Sequence, residues 1–121
     1  MKIAITAHGP GIHYQVSQQF GRCEYFAVYN NESNNFIFKS NILNILEKHG
    51  VGIKAVQILT NAGVEVLITG HCGPNAFKML YDNKIKIYAG AFDTVQTAVK
   101  DYEYGRLKEI HTFDIEKHWL V

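Results

Sequence analysis

One apolar segment constrains the fold of this chain more than any other. Between Gly63 and Gly70, residues 64–69 include the consecutive apolar residues Val66, Leu67 and Ile68. A nearly continuous apolar run of this length is typical of a strand that is covered on both faces. Strands of this kind occur in sheets that carry helices on both sides, so the segment predicts an α/β fold.

The flanking sequence supplies the other predicted elements. Four more strands are predicted at Lys2 to Ala7, Glu24 to Asn30, Phe36 to Lys39 and Ile85 to Ala89. Helices are predicted at Ser40 to Lys48, Gly52 to Asn61, Pro74 to about Asn83, and from an N-cap at Asp93 to Gly105. The polar stretch between the second and third strands favours an antiparallel turn. This order predicts a five-stranded mixed sheet flanked by helices, with its last two strands parallel.

Composition narrows the class of protein. The chain has 121 residues, of which 47% are hydrophobic and 19% are charged, as expected for one globular domain spanning 1–121. The net charge is +1 and basic residues are not clustered, so neither nucleic acid nor membrane is expected as a partner. The first apolar run is too short for a signal peptide, and Cys23 and Cys72 lack a C-x-x-C spacing. We therefore expect a cytoplasmic protein with reduced cysteines.

No helix or strand is predicted from the sequence after Leu107. Its apolar residues are Ile110, Phe113, Ile115 and Trp119, which we expect to cover the domain or a partner subunit.

A His-Cys pair follows the central apolar strand. His71 and Cys72 stand directly before Gly73-Pro74-Asn75, and imidazole and thiolate are ligands that suit copper(I), zinc and iron-sulfur clusters. Two simpler interpretations stay open. The Gly-Pro-Asn sequence starts a helix whatever its neighbours do, and a lone cysteine is commonly a small buried apolar residue.

Five motifs in order resemble one known family. They are "VSQQFGRCEYFAVY" (16–29), "HGVGIKAVQIL" (49–59), "GVEVLITGHCGPNAF" (63–77), "IKIYAG" (85–90) and "TVQTAVKDYEYGRL" (94–107). Together they resemble the dinitrogenase iron-molybdenum cofactor family over most of the chain. The resemblance implies a ribonuclease H-like fold with sheet order 3-2-1-4-5, in which the first and fourth strands are neighbours.

The resemblance also implies a ligand. Members tied to nitrogen fixation typically carry a histidine before Phe-Gly, where this chain has Gln19 before Phe20. The His-Cys pair is instead similar to the subset related to the orange protein, which holds a molybdenum-copper sulfide cluster without covalent attachment. The implied ligand is therefore a metal-sulfur cluster that contains molybdenum with iron or copper.

The implied strand order predicts where such a cluster binds. The loops after adjacent parallel strands open at a topological switch point, the usual ligand crevice of an α/β sheet. We predict His71 and Cys72 as metal ligands. Further cofactor-binding residues are predicted at His8, Gly9, Gly11, His13, Arg22, His49, Gly50, Gly52, Gly73 and Asn75. Glycine-rich backbone and helix N-termini favour an anionic cluster.

Several of these residues have simpler interpretations. His8 and His13, taken singly, are typical exposed loop residues, and Arg22 is equally suited to pairing with a carboxylate. Cys23 is equally suited to packing behind the second strand.

The favoured function is a non-catalytic binding or carrier protein for a metal-sulfur cluster in cofactor assembly, storage or delivery. A cofactor-assembly or ATPase protein is the expected partner, and the chain is expected to be a monomer or weak dimer. The alternative is a small-anion or nucleotide-sensing module, although no phosphate-binding glycine motif is present. A Cys-His enzyme is less favoured because no orienting third group can be named. Nuclease chemistry needs clustered carboxylates, and the first strand has none.

Overall fold

The computed structural model describes residues 1–111, which form one mixed sheet with helices on both faces. The strands are β1 (Lys2–Ala7), β2 (Tyr25–Asn30), β3 (Asn35–Ser40), β4 (Val64–Ile68), β5 (Lys86–Ala89) and β6 (Lys108–Ile110). The helices are α1 (Ile42–Ile45), α2 (Val51–Asn61), α3 (Pro74–Asp82) and α4 (Val95–Glu103). The predicted tail residues Phe113, Ile115 and Trp119 lie outside the described residues.

The sheet order is β3-β2-β1-β4-β5-β6. The predicted order of the first five strands is confirmed, with β1 antiparallel to β2 and parallel to β4, and β4 parallel to β5. The predicted number of strands is wrong, because β6 pairs antiparallel with β5 as a sixth strand. The strand β6 has only three residues, and only one of them, Ile110, is apolar. The sequence therefore shows no periodic pattern there that would predict a strand. The ribonuclease H-like assignment stays a prediction from the resemblance.

The first helix is shorter than predicted because two asparagines use their side chains to hold loops. The Asn41 amide donates to the carbonyls of Gly21 and Cys23 at 3.0 and 2.9 Å, and the Asn44 amide donates to the Val51 carbonyl at 2.9 Å. Side chains that bond to non-helical backbone in this way compete with helix formation. Only Ile42–Ile45 is helical within the predicted Ser40 to Lys48.

The last helix is capped by Thr94 and not by the predicted Asp93. The Thr94 hydroxyl accepts a hydrogen bond from the Thr97 N–H at 3.2 Å, the usual N-cap interaction. The Asp93 carboxylate instead accepts from the adjacent Thr94 N–H at 2.8 Å.

Each face of the sheet has its own buried core. On one face, α2 and α3 pack over β1, β4 and β5 through Ala55, Leu59 and Leu80. On the other, α4 packs through Val95, Ala98 and Val99. The central strand β4 contributes Leu67 to the first core and Val66 and Ile68 to the second, as its continuous apolar run predicts. No helix in residues 1–111 is long and apolar enough to cross a membrane.

Candidate functional site

The loops after β1 and β4 meet at the carboxyl edge of the sheet. The His71 N–H donates to the Gln18 carbonyl at 2.9 Å, and Gln19 and His71 form a parallel bridge. A Cβ atom added to Gly70 would lie 2.7 Å from the Gln18 Cα, so only glycine fits this contact without displacement. The adjacency on which the sequence prediction depended is therefore present.

The loop after β1 crosses this edge from one face of the sheet to the other. Residues 8–16 lie on the α4 side, where the Val95 N–H donates to the Tyr14 carbonyl at 2.9 Å. Phe20 and Cys23 lie in the core under α2 and α3. We call the α4 side, with residues 8–16 and 90–95, the closed side. The α2 and α3 side, with residues 18–23, 50–53 and 71–76, is the open side.

The two helix starts on the open side have no side-chain cap. Gly50 is the N-cap of α2 and Gly73 is the N-cap of α3, and neither makes a side-chain capping bond. The first intrahelical donors are the N–H groups of Lys54 and Phe77, so the amides before them have no intrahelical acceptor. A Cβ atom added to Gly50 or Gly73 would meet nothing within 4 Å. Both helix starts therefore face open space.

The loop at Gly21 links these two helix starts. A Cβ atom added to Gly21 would lie 3.7 Å from the Gly52 Cα at the start of α2. The same loop meets His71 through Gln18 and Gln19. The two helices also pack together, since a Cβ atom at Gly52 would lie 2.9 Å from the Met79 Cε of α3. The open side is thus a continuous surface.

The His-Cys pair lies at the start of α3, with its two side chains in different environments. His71 is partly buried, whereas only 7% of Cys72 is exposed, and Cys72 belongs to the buried core that also contains Phe20 and Phe77. Burial raises the pKa of the Cys72 thiol to about 12. The thiolate needed for metal ligation is therefore strongly disfavoured in the ligand-free protein.

The second cysteine is also inside the protein. Cys23 is fully buried, its thiol donates to the Phe20 carbonyl at 3.2 Å, and burial raises its pKa. The expectation that Cys23 packs behind the second strand agrees with this placement.

The predicted cofactor-binding residues do not form one group of side chains. His13 and Gly11 are on the closed side, and Tyr14 covers Gly9 there. His8 is exposed, and its Nδ1 lies 3.0 Å from Glu24 Oε2. On the open side are the exposed residues Arg22, His49 and Asn75 and the glycines 50, 52 and 73.

Direct coordination by protein side chains is limited. No three His, Cys, Asp or Glu side chains within residues 1–111 lie close enough together to hold a metal ion. The arrangement on the open side is therefore one of backbone amides with two soft donors nearby.

Sequence reasoning missed the residues that shape the edge. Besides its backbone contact with His71, Gln18 donates from its side chain to the Ala91 carbonyl at 3.0 Å. The hydroxyls of Thr6 and Thr69 are 3.0 Å apart and join β1 to the loop after β4. Asn41 is 1% exposed and fixes the backbone at Gly21 and Cys23. These residues belong to no motif, and the one signal that the sequence offered is the polar Asn41 next to the apolar residues of the first predicted helix.

The sequence profile described as dinitrogenase iron-molybdenum cofactor matches residues 1–105. The chain belongs to this family. Its relatives include an uncharacterised protein of Methanocaldococcus jannaschii, which is 29% identical over 111 residues, covering 90% of this chain and 91% of that protein.

Two solved structures of similar proteins have the same fold. One is the apo form of the orange protein from Desulfovibrio gigas, with a TM-score of 0.90 and 33% identity over 94% of this chain and 96% of that one. The other is a protein from Thermotoga described as a putative NifB protein, with a TM-score of 0.83 and 40% identity over 95% and 97% of the two chains. The family thus associates this fold with the iron-molybdenum cofactor.

Proposed function

We propose that this family member is a non-catalytic carrier that binds an anionic metal-sulfur cluster on the open side. The single observation that carries the proposal is the pair of uncapped helix starts at Gly50 and Gly73, which face open space beside the His-Cys pair. Amides at helix N-termini carry partial positive charge and bind anions without any charged side chain.

The donor set fits a cluster better than a single ion. A lone divalent metal needs three or four protein ligands, and the described residues group no three candidates. A sulfide-bridged cluster brings its own bridging ligands, so amide hydrogen bonds to sulfide and one or two bonds from His71 and Cys72 suffice. Imidazole and thiolate both suit copper and iron-sulfur chemistry. Molybdenum with iron or copper is the composition that we propose.

The other predicted residues have smaller roles in the proposal. Arg22 and His49 are exposed on the open side and supply positive charge or hydrogen bonds at the rim, together with Gly52 and Asn75. His8, Gly9, Gly11 and His13 belong to the loop that braces the edge from the closed side, and we propose for them an indirect role in holding that loop.

The test is anaerobic loading with tetrathiomolybdate and copper(I), followed by gel filtration. The wild-type chain is expected to elute with a visible charge-transfer band, and replacing His71 and Cys72 together by Ala is expected to weaken retention. The control replaces His111 by Ala, an exposed histidine that is not on the open side. Equal retention in the double variant and in the control would remove the His-Cys pair from the site.

Thermal shift against thiometallates and nucleotides tests the alternative of a small-anion or nucleotide sensor. A ligand that binds only the folded chain raises its apparent stability. Stabilisation by thiometallates and not by nucleotides is expected. The reverse result would favour the sensor.

The remaining parts of the proposal concern the cellular role. We propose that the cluster is exchanged with a cofactor-assembly or ATPase protein in the cytoplasm, and that the carrier acts as a monomer or weak dimer. Co-elution of loaded and unloaded chain with candidate assembly proteins measures this, and an interaction that depends on loading is expected.

A further inference from the structure

Two buried asparagines connect the loop after β1 to the start of α2. The Asn41 amide donates to the carbonyls of Gly21 and Cys23 at 3.0 and 2.9 Å. The Asn44 amide donates to Asn41 Oδ1 at 2.8 Å and to the Val51 carbonyl at 2.9 Å. We call these four hydrogen bonds the asparagine clamp. The clamp joins two of the segments that form the open side.

The bonding of Asn44 indicates that the clamp does more than stabilise the fold. Asn44 is 7% exposed, and its Oδ1 is the one buried side-chain nitrogen or oxygen in residues 1–111 without a hydrogen-bond partner. Turning the amide over would not pair it, because Oδ1 would then face two acceptors, Asn41 Oδ1 and the Val51 carbonyl. An unpaired buried acceptor costs free energy, and proteins keep such groups mainly where function needs a fixed geometry. The two donor bonds therefore account for an amide at position 44.

The clamp holds the two segments close together. A Cβ atom added to Gly21 would lie 3.7 Å from the Gly52 Cα and 3.9 Å from the Gly52 nitrogen. That nitrogen belongs to the first turn of α2, whose amides have no intrahelical acceptor. Arg22 follows Gly21 directly, is exposed, and forms no ion pair with another residue in 1–111. The clamp therefore sets the distance between the backbone that carries this guanidinium and the free amides of α2.

We propose that Asn41 and Asn44 are positioning residues for the anion site on the open side, a role that rests on the proposed function. They act through the backbone that they hold and not by touching the cluster. A site whose donors are fixed before the ligand arrives has less conformational freedom to lose on binding. Breaking the clamp is therefore expected to weaken the binding of a thiometallate in a chain that is still fully folded.

The test measures affinity in variants of Asn44. Asn44→Leu has a similar shape and removes both donor bonds, while Asn44→Ser keeps a hydroxyl that can donate only one hydrogen bond. Anaerobic equilibrium dialysis against tetrathiomolybdate and copper(I) gives the molybdenum bound at each concentration. Asn44→Leu is expected to raise the concentration for half-saturation by roughly three- to tenfold, and Asn44→Ser by less. Circular dichroism shows whether each variant is folded at the temperature used, and the result for Asn44→Ser decides alone where the leucine is not accommodated.

Thr94→Ala is the control for a general loss of stability. It removes the cap of α4 on the closed side and is expected to bind as wild type does at the same temperature. Unchanged affinity in the Asn44 variants, with a wild type that binds, would overturn the positioning role and leave the carrier intact. An equal loss of affinity in Thr94→Ala would also refute it, because the effect would then follow stability. A wild type that retains no molybdenum would refute the carrier itself, and the positioning role with it.

Discussion

The two sides of the sheet end differently at the same edge. On the closed side, Thr94 caps α4 with its hydroxyl, and residues 12 and 14 accept hydrogen bonds from the N–H groups of Gln96 and Val95. On the open side, Gly50 and Gly73 leave the starts of α2 and α3 without a side-chain cap and with space in front of them.

This difference indicates which helix starts have amides that can bind a ligand. A capped helix start has its free amides satisfied within the protein, whereas an uncapped one leaves them to water or to a ligand. At this sheet edge, the closed side therefore stabilises the fold, and the open side has amides that can bind an anion. The following predictions test this division, beginning with the largest expected effect on stability.

Gly70→Ala is expected to lower the free energy of unfolding by about 1–3 kcal/mol, because the new methyl group overpacks the contact between the two loops. The clash would involve the Gln18 backbone, 2.7 Å from the added Cβ. Urea unfolding measures the change. Gly73→Ser in the same loop has open space and is expected to change stability by less than about 0.5 kcal/mol. Equal effects of the two variants would show that the loops do not meet as closely as described.

The buried thiols of the open side predict a loss of stability at high pH. The Cys72 pKa is raised to about 12 by burial, so the unfolded chain releases this proton at a lower pH than the folded chain does. The stability that the buried, protonated Cys72 thiol contributes to the folded chain is fully present below the ordinary thiol pKa. It is lost as the pH rises from there to about 12.

One such group lowers the unfolding free energy by at most about 1.4 kcal/mol for each pH unit in that window. Chemical unfolding at a series of alkaline pH values measures the slope, which Cys72→Ala is expected to reduce. An unchanged slope would mean that the thiol is not held in an apolar environment.

Thr94→Ala is expected to cost about 1 kcal/mol, because α4 loses the acceptor of the Thr97 N–H. The comparison is Asn75→Ala near the start of α3, where no side-chain capping bond exists. That change is expected to stay within about 0.5 kcal/mol. Thermal or urea unfolding of both variants gives the result, and similar losses would contradict the contrast between the two sides.

Gly73→Asp is expected to stabilise the ligand-free chain by a few tenths of a kcal/mol, because it supplies the cap that α3 lacks. The melting temperature of the variant measures the gain. Gly73→Asn supplies a neutral cap of similar shape and separates capping from charge. A loss of stability in both variants would mean that the space at this helix start is not available.

Sequence patterns were sufficient for the central part of the fold. The apolar run that includes Val66, Leu67 and Ile68 identified β4, and Pro74 marked the start of α3. The order of the first five strands came from the family resemblance together with the handedness of crossover connections. Hydrophobic periodicity predicted the wrong length for α1, where the side chains of Asn41 and Asn44 bond to distant backbone. It also missed β6, which is too short to show an alternating pattern.

The candidate site was harder to predict than the fold. The loops could be assigned to one edge, but the crossing of residues 8–23 from one side to the other depends on hydrogen bonds such as that between Gln18 and His71. No spacing in the sequence encodes such a contact. Cys72 is likewise buried in a core that it shares with Phe20, which is remote from it in sequence, and with Phe77 in α3.

The central claim is that the uncapped helix starts bind the anion, and one loading experiment tests it most directly. Gly73→Asp and Thr94→Asp each place a carboxylate at a helix start, the first on the open side and the second on the closed side. After anaerobic loading with tetrathiomolybdate and copper(I), the molybdenum retained per chain is expected to fall in Gly73→Asp and to match wild type in Thr94→Asp. Equal retention in the two variants would contradict the claim.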